Sequence, residues 1–398
     1  MGTVIRPVSV AERRARLAAR HHLAPASRAP ATPGGVTGVV ADIIALHGTD
    51  PASVYLAAWA RTGASRADIE HALWAEGTLV RMLGMRRTVF VVPTGLMPVI
   101  QAACTDQIAA RLRRDLAKQV QASGIAADGA AWLDEVGEAT VRALAARGSA
   151  TGAELAKDEP RLRAQMVFPG TEGKNYGGPV NVTSRLLTVL SAEGLMVRGR
   201  PRGGWTSMQF TWSVAPDQPR PDAPAAQAEL ARRWLVAFGP AAPADLQWWA
   251  GWTAAQTRQA LSQLETTEVD LDGTPGVMLA ADSEAPAAAD PWPALLPALD
   301  PAAMGWRERG WYLGGHAAAL FDRSGNIGPT AWWDGRIVGG WAQRKDGEVV
   351  LRLLEDAGAE AAAALDAEAG RLSEWIGKDS GIRITPRFRT PLERELSG

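Results

Sequence analysis

One pattern occurs three times along this 398-residue chain: apolar residues at helical spacing give way to two short extended stretches across a tight turn. In the first copy Val39, Val40, Ile43 and Ile44 mark a helix that runs into Asp50-Pro51, where Asp suits a cap and Pro the first turn of a second helix reaching Trp59. Ser65 stands in capping-box spacing to Asp68, and Ile69, Leu73 and Trp74 predict a third helix. The pattern then turns extended and β-branched at 79–83 and 88–92. The second copy has an amphipathic helix over 132–146, a capping Thr151 before Glu154, a helix over 181–190, and extended stretches at 195–201 and 206–212 joined through Gly203-Gly204. The third has helices over 230–238, 243–249 and 253–264, then extended stretches at 269–271 and 277–279 across Asp272-Gly273.

Helices closed by a hairpin are the pattern of a winged helix-turn-helix, so the expected fold is α+β: three tandem winged helix-turn-helix units followed by a C-terminal β-rich, barrel-like domain. The Pro-rich stretch around Pro216, Pro219, Pro221 and Pro224, and the Ala/Asp/Pro-rich stretch from Ala281 to Pro293, read as linkers. The resulting divisions are an N-terminal arm and helix (1–34), units over 35–122, 123–215 and 222–281, and the last domain over 292–398. In that last part, strands are predicted at 311–313, 330–333, 336–341, 349–354 and 383–388, with an Ala-rich helix over 357–375.

The lone Cys104 excludes an internal disulfide and a thiol-based metal cluster, and it reads as a small buried residue. No run approaches eighteen apolar residues, so no membrane partner is expected, and the anticipated setting is cytoplasmic and nucleoid-associated. A net charge of −1 does not by itself announce a nucleic-acid partner, so the distribution of arginines has to carry that argument. Sixteen tryptophans against three tyrosines are ascribed mainly to core packing.

Three segments are more specific: Ile44-Ala45-Leu46-His47-Gly48-Thr49-Asp50-Pro51 with Val54, Trp59 and Arg61 after it; Arg81-Met82-Leu83-Gly84-Met85-Arg86-Arg87-Thr88; and Leu296-Pro297-Ala298-Leu299-Asp300-Pro301. Together they resemble the winged-helix DNA glycosylases of the AlkZ type, from about residue 10 to about residue 395 in the same segment order. That resemblance implies hydrolysis of the N-glycosidic bond of alkylated purines, N7-alkylguanine or bulky and crosslinked adducts, on double-stranded DNA with a damaged base. The family's Gln-x-Gln or Gln-x-Asp motif reads His47-Gly48-Thr49 here, a departure at the reacting centre.

Such a reaction needs a water aimed at C1′ and a group to orient it or take its proton. The resemblance makes His47 and Thr49 candidates for that task, with Asp50 beside them as a carboxylate base; read from the residues alone, His47 is also an ordinary junction residue, and Thr49 and Asp50 are ordinary capping residues. No lysine neighbours the motif, so a Schiff-base route lacks its nucleophile and a monofunctional enzyme is expected. No metal or other cofactor is expected, since His21, His22 and His71 stand without partners in ligand spacing.

For DNA contact the candidates are Arg81, Arg86 and Arg87 on the first hairpin, Arg198, Arg200, Arg202 and Trp205 on the second, and Arg387 and Arg389 near the end, where solvated surface charge is the competing explanation. Arg383 and Arg394 belong to the same terminal cluster. Asn326, Trp332 and Trp333 are candidates for a lesion pocket, against an aromatic β-core. The alternative function is a non-catalytic winged-helix regulator or damage-binding protein. Three tandem units cradling a duplex suggest a monomer.

Overall fold

A computed structural model describes residues 5–166, 179–287, 289–377 and 380–398. The chain opens with strand β1 (Arg6–Pro7) and helix α1 (Val10–Arg20), whose cap Ser9 accepts the N–H of Glu12. Helix α2 (Pro33–Asp42) follows, then the two-residue strand β2 (Leu46–His47), helix α3 (Pro51–Thr62) and helix α4 (Arg66–Trp74). Asp50 caps α3 and Ser65 with Asp68 closes a capping box on α4, as the spacing predicts, each cap contributing about 1 kcal/mol. Strands β3 (Leu79–Gly84) and β4 (Thr88–Pro93) make the first hairpin.

A short helix α5 (Met97–Ile100) passes through a wider π turn (Gln101–Thr105) into α6 (Asp106–Ala122). Then come α7 (Gly129–Arg147), α8 (Gly152–Asp158), the paired short strands β5 (Gln165–Met166) and β6 (Val180–Asn181), α9 (Val182–Ala192), and the second hairpin, β7 (Met196–Pro201) with β8 (Phe210–Val214). The third set is α10 (Ala223–Phe238), α11 (Pro243–Ala250), α12 (Ala254–Ser262) and the hairpin of β9 (Thr266–Asp270) with β10 (Pro275–Leu279). The expected order of helices followed by a hairpin is present each time.

The hairpins do not stand apart. β3 meets β7 through the pair Arg81↔Arg198, so the first two hairpins share one sheet in the order β2-β4-β3-β7-β8. The opening strand β1 adds parallel to β9 and ties the N-terminal segment to the third hairpin. One continuous core runs through the first and third helical sets and the C-terminal part, while Leu116, Leu133, Leu155, Leu186 and Trp212 anchor a separate core in the second.

The C-terminal part holds an antiparallel sheet of β11 (Pro293–Leu296), β12 (Thr330–Trp333), β13 (Arg336–Gln343) and β14 (Val349–Leu353). This sheet is open, with β11 and β14 as edges, and corrects the barrel-like expectation. Short helices α13 (Pro301–Met304), α14 (Gly310–Leu313) and α15 (Ala317–Leu320) precede β12, and α16 (Ala359–Ile376) and α17 (Pro391–Ser397) follow β14. Residues 311–313 are therefore helical where a strand is predicted; a short apolar run has no periodicity to separate the two, and here Tyr312 turns inward to stack on Trp332. Residues 383–388 form no strand either, because side chains take their backbone donors: Ile384 N–H donates to Gln343 Oε1 (2.8 Å) and Arg387 N–H to Asp50 Oδ2 (3.4 Å). Gly340 lets α17 lie on the sheet, since a Cβ there would sit 2.8 Å from Leu392 Cδ2 and 2.9 Å from the Pro329 carbonyl. Among the described residues no helix is long and apolar enough to cross a membrane.

Candidate active site and DNA interface

The His47-Gly48-Thr49-Asp50 segment lies on the edge strand β2 and the turn after it, not at the end of the opening helix. That helix stops at Asp42, and Ile44 makes the turn into β2 at φ +70°, a conformation that a β-branched residue adopts only under constraint. Leu46 then pairs with Val91 and His47 with Phe90, and Gly48 N–H donates to the Val89 carbonyl (2.8 Å). The strained turn thus sets where the His47 side chain is carried.

Arg81 holds the segment from behind. It is 4% exposed and donates from Nη2 to the Gly48 carbonyl (2.8 Å), and burial pushes its pKa down to about 10. It is a strut of the motif and does not present its charge to solvent. Asp50, also buried, accepts from Ala52 N–H with Oδ1 (3.1 Å) and from Arg387 N–H with Oδ2, so both carboxylate oxygens serve backbone donors. Burial raises its pKa, opposed by those two N–H groups and by the Arg387 charge.

His47 is partly exposed, packs edge-on to Phe90 at 5.4 Å between ring centres, and has a buried Nδ1 with no hydrogen-bond partner among the described residues. Burial, with the neighbouring Arg86 charge second, lowers its pKa to about 3, so the imidazole is neutral at physiological pH. Beside it is a recess of about 20 Å³, room for about one water, lined by apolar groups such as Phe238, Trp249, Leu299 and Met304 and by two polar side chains, His47 and Arg86. Arg86 Nε is likewise buried and unpartnered. A neutral imidazole offers one acceptor and a guanidinium offers donors, which together fit a single polarised water.

Other candidates divide into those gathered near the motif and those that are not. Arg198 packs its guanidinium on Phe210 (4.7 Å) and Trp212 (5.4 Å), close to Arg81 and Arg387, whose charges add to burial in lowering its pKa to about 10. Arg87 and Arg387 are exposed. Arg200 is ion-paired to Glu70, Arg202 to Glu154 (3.1 Å), and Arg389 to Glu393.

Trp205 departs most from expectation. It does not project from the hairpin but is 6% exposed, packed on Tyr55 (5.3 Å) and Trp375 (5.5 Å). The three residues suggested for a lesion pocket are engaged elsewhere: Trp332 is fully buried and donates to Thr330 Oγ1 (2.8 Å), Trp333 packs against the core on β12, and Asn326 bonds Asp322 in its own turn. None of the three lines the recess beside His47. Cys104 is buried, as expected, with its thiol pushed up to about 12.

Two residues not foreseen from sequence do approach the site. Trp248 carries the Arg86 guanidinium at 3.8 Å, and Arg309, from the C-terminal part, stacks on the same ring at 4.8 Å. Neither sits in a recognisable motif; an aromatic pair, Trp248-Trp249, at the end of α11 was the sole available signal. Among the described residues no group of three or more His, Cys, Asp or Glu is placed to hold a metal ion.

Comparison with known proteins agrees with this arrangement. No curated protein matches the chain. Among solved structures, Streptomyces sahachiroi DNA glycosylase AlkZ has a similar fold, with a TM-score of 0.70 and 21% sequence identity over 92% of this chain and 97% of that one. The family described as DNA glycosylase AlkZ-like matches residues 40–375, a span that contains the His47 segment, both Arg86 and Arg309, and the open C-terminal sheet, and the chain therefore belongs to the AlkZ-like DNA glycosylase family.

Proposed function

We propose that this glycosylase removes alkylated purines, N7-alkylguanine or bulky and crosslinked adducts, from duplex DNA, with His47 orienting the attacking water. The observation that carries this reading is a neutral imidazole with an unpartnered buried nitrogen beside a recess of single-water size. In the reaction the water oxygen forms a bond to C1′ as the C1′–N9 bond breaks through an oxocarbenium-like sugar. An N7-alkylated purine already carries positive charge and departs neutral, so no strong acid is required. An imidazole held near 3 is a weak base, so His47 accepts a hydrogen bond from the water and fixes its direction, while the water's proton passes to solvent. Thr49 assists through its hydroxyl. Asp50 caps α3 and fixes the turn, a role supported by the backbone donors on both its oxygens.

Three winged-helix units cradle the duplex in this reading, with Arg87, Arg198 and Arg387 available to phosphates. Incubating the protein with duplexes carrying N7-methylguanine, 3-methyladenine or a bulky N7 adduct, then cleaving with alkali, tests it. Strand breaks at the lesion are expected from the wild type and not from His47→Ala.

A further inference from the structure

Two arginines from distant parts of the chain share one tryptophan. Arg86 sits in the turn between β3 and β4 and Arg309 just ahead of α14, yet both guanidiniums lie within 5 Å of the Trp248 ring centre, at 3.8 and 4.8 Å. Each has a buried Nε without a partner, and among the described residues neither is in an ion pair. The charge felt by Arg86 from its surroundings is that of Arg309, so like charges are brought together at a partly exposed position beside the recess that His47 lines.

The backbone is constrained to achieve this. Arg86 and Arg87 take φ of +51° and +59°, consecutive left-handed conformations that non-glycine residues avoid. Gly251, the left-handed cap of α11, allows that helix to close on the turn, since a Cβ there would lie 3.2 Å from Arg86 Cγ and 3.3 Å from its backbone nitrogen. Strained backbone holding two uncompensated cations together marks a place where an anion belongs. The chemistry makes the same demand. A sugar acquiring positive charge next to Arg86 and Arg309 is disfavoured unless an anion cancels their field.

We propose that Arg86 and Arg309, stacked on Trp248, seat one phosphodiester of the DNA strand that carries the damaged nucleotide, so that the substrate's own backbone neutralises the site. This rests on the reaction taking place at His47, but the seat is tested by binding alone. For an undamaged 20-base-pair duplex, the slope of log affinity against log salt should become shallower by about 0.9 in Arg86→Gln/Arg309→Gln, the value for one phosphate contact, and should be kept in Arg86→Lys/Arg309→Lys. An unchanged slope in the glutamine double variant overturns the proposal. Position is read with the wild type on duplexes that hold a tetrahydrofuran abasic analogue and one neutral methylphosphonate at successive linkages. A loss of affinity at one linkage of the analogue-bearing strand is expected. A uniform response, or one confined to the opposite strand, overturns it. If inorganic phosphate binds at constant ionic strength while the duplex slope is unchanged, the anion is a free phosphate and the strand assignment fails. A shallower slope combined with full excision by His47→Ala would leave the seat standing and remove only the assignment of the chemistry to His47.

Discussion

Arg61 and Asp300 form a bidentate ion pair with both side chains fully buried, Nη1 to Oδ2 at 2.8 Å and Nη2 to Oδ1 at 2.7 Å. Arg61 sits in the last turn of the helix that Asp50 caps, and Asp300 caps α13. The pair therefore bolts the segment containing His47 to the C-terminal part, and it explains why two signature segments so far apart in sequence belong to one structural unit. Removing one partner leaves a buried charge without compensation. Asp300→Ala or Arg61→Met should lose about 3–5 kcal/mol of stability in urea unfolding, whereas Arg61→Met/Asp300→Leu should recover much of it. Equal stability of the single variants and the wild type would show that the pair is dispensable.

Trp205 should behave as a core residue. Its indole is packed between Tyr55 and Trp375, so Trp205→Ala is expected to cost about 3–5 kcal/mol and to leave the salt dependence of DNA binding at the wild-type slope. A stable variant with impaired duplex bending or affinity would reinstate it as a groove-inserting residue.

Acidification should weaken the fold through its histidines. His47 is held near 3 and His21 is driven well below 6.5, both chiefly by burial, whereas the unfolded chain protonates them around 6.5. Between those values the unfolded state binds protons that the folded state does not. Stability is thus complete well above pH 6.5 and is lost as pH falls, for His47 toward 3 and by about 2 kcal/mol at pH 5, with His21 acting in the same direction. Unfolding free energies at pH 7.5 and 5.0 read this, with His47→Gln separating the histidine from carboxylates that burial raises, such as Asp50; the wild type should lose more stability than His47→Gln. The excision rate should show no titration of His47 near pH 6.5, and a rate midpoint there that vanishes in His47→Gln would contradict the neutral imidazole.

The product should be an intact abasic site. No lysine adjoins the His47 segment, so borohydride should trap no covalent enzyme–DNA adduct and strand breaks should follow only alkali or heat. Trapping by the wild type would require a nucleophile outside this site.

Much of the architecture was legible because capping and turn chemistry are local. Asp50-Pro51, Ser65 with Asp68, and Thr151 before Glu154 all begin helices where their spacing places them. Long-range decisions were not. Whether 311–313 is strand or helix depends on Tyr312 finding Trp332, and whether 383–388 is strand depends on Gln343 and Asp50 taking its donors. The same limit applied to the site. His47 stood out through its motif, but its setting arises from residues such as Phe90, Trp249 and Arg86, and Arg309 reaches Trp248 only through the tertiary fold. Arg81 and Trp205, which their places on the predicted hairpins mark as DNA-facing, are claimed instead by the core.

The most direct measurement compares single-turnover excision of an N7-alkylguanine or bulky N7 adduct by the wild type, His47→Ala, Thr49→Ala and Asp50→Asn, with DNA affinity and thermal stability recorded for each. His47→Ala should lose at least about 10²-fold in rate with affinity and stability nearly unchanged, and Thr49→Ala should lose less. Asp50→Asn keeps an acceptor for the Ala52 N–H but turns its NH2 toward the Arg387 N–H, so it should lose about 1–3 kcal/mol of stability while the folded protein retains activity. Wild-type excision by His47→Ala together with an inactive, folded Asp50→Asn would move the chemistry to the carboxylate and contradict the assignment of His47.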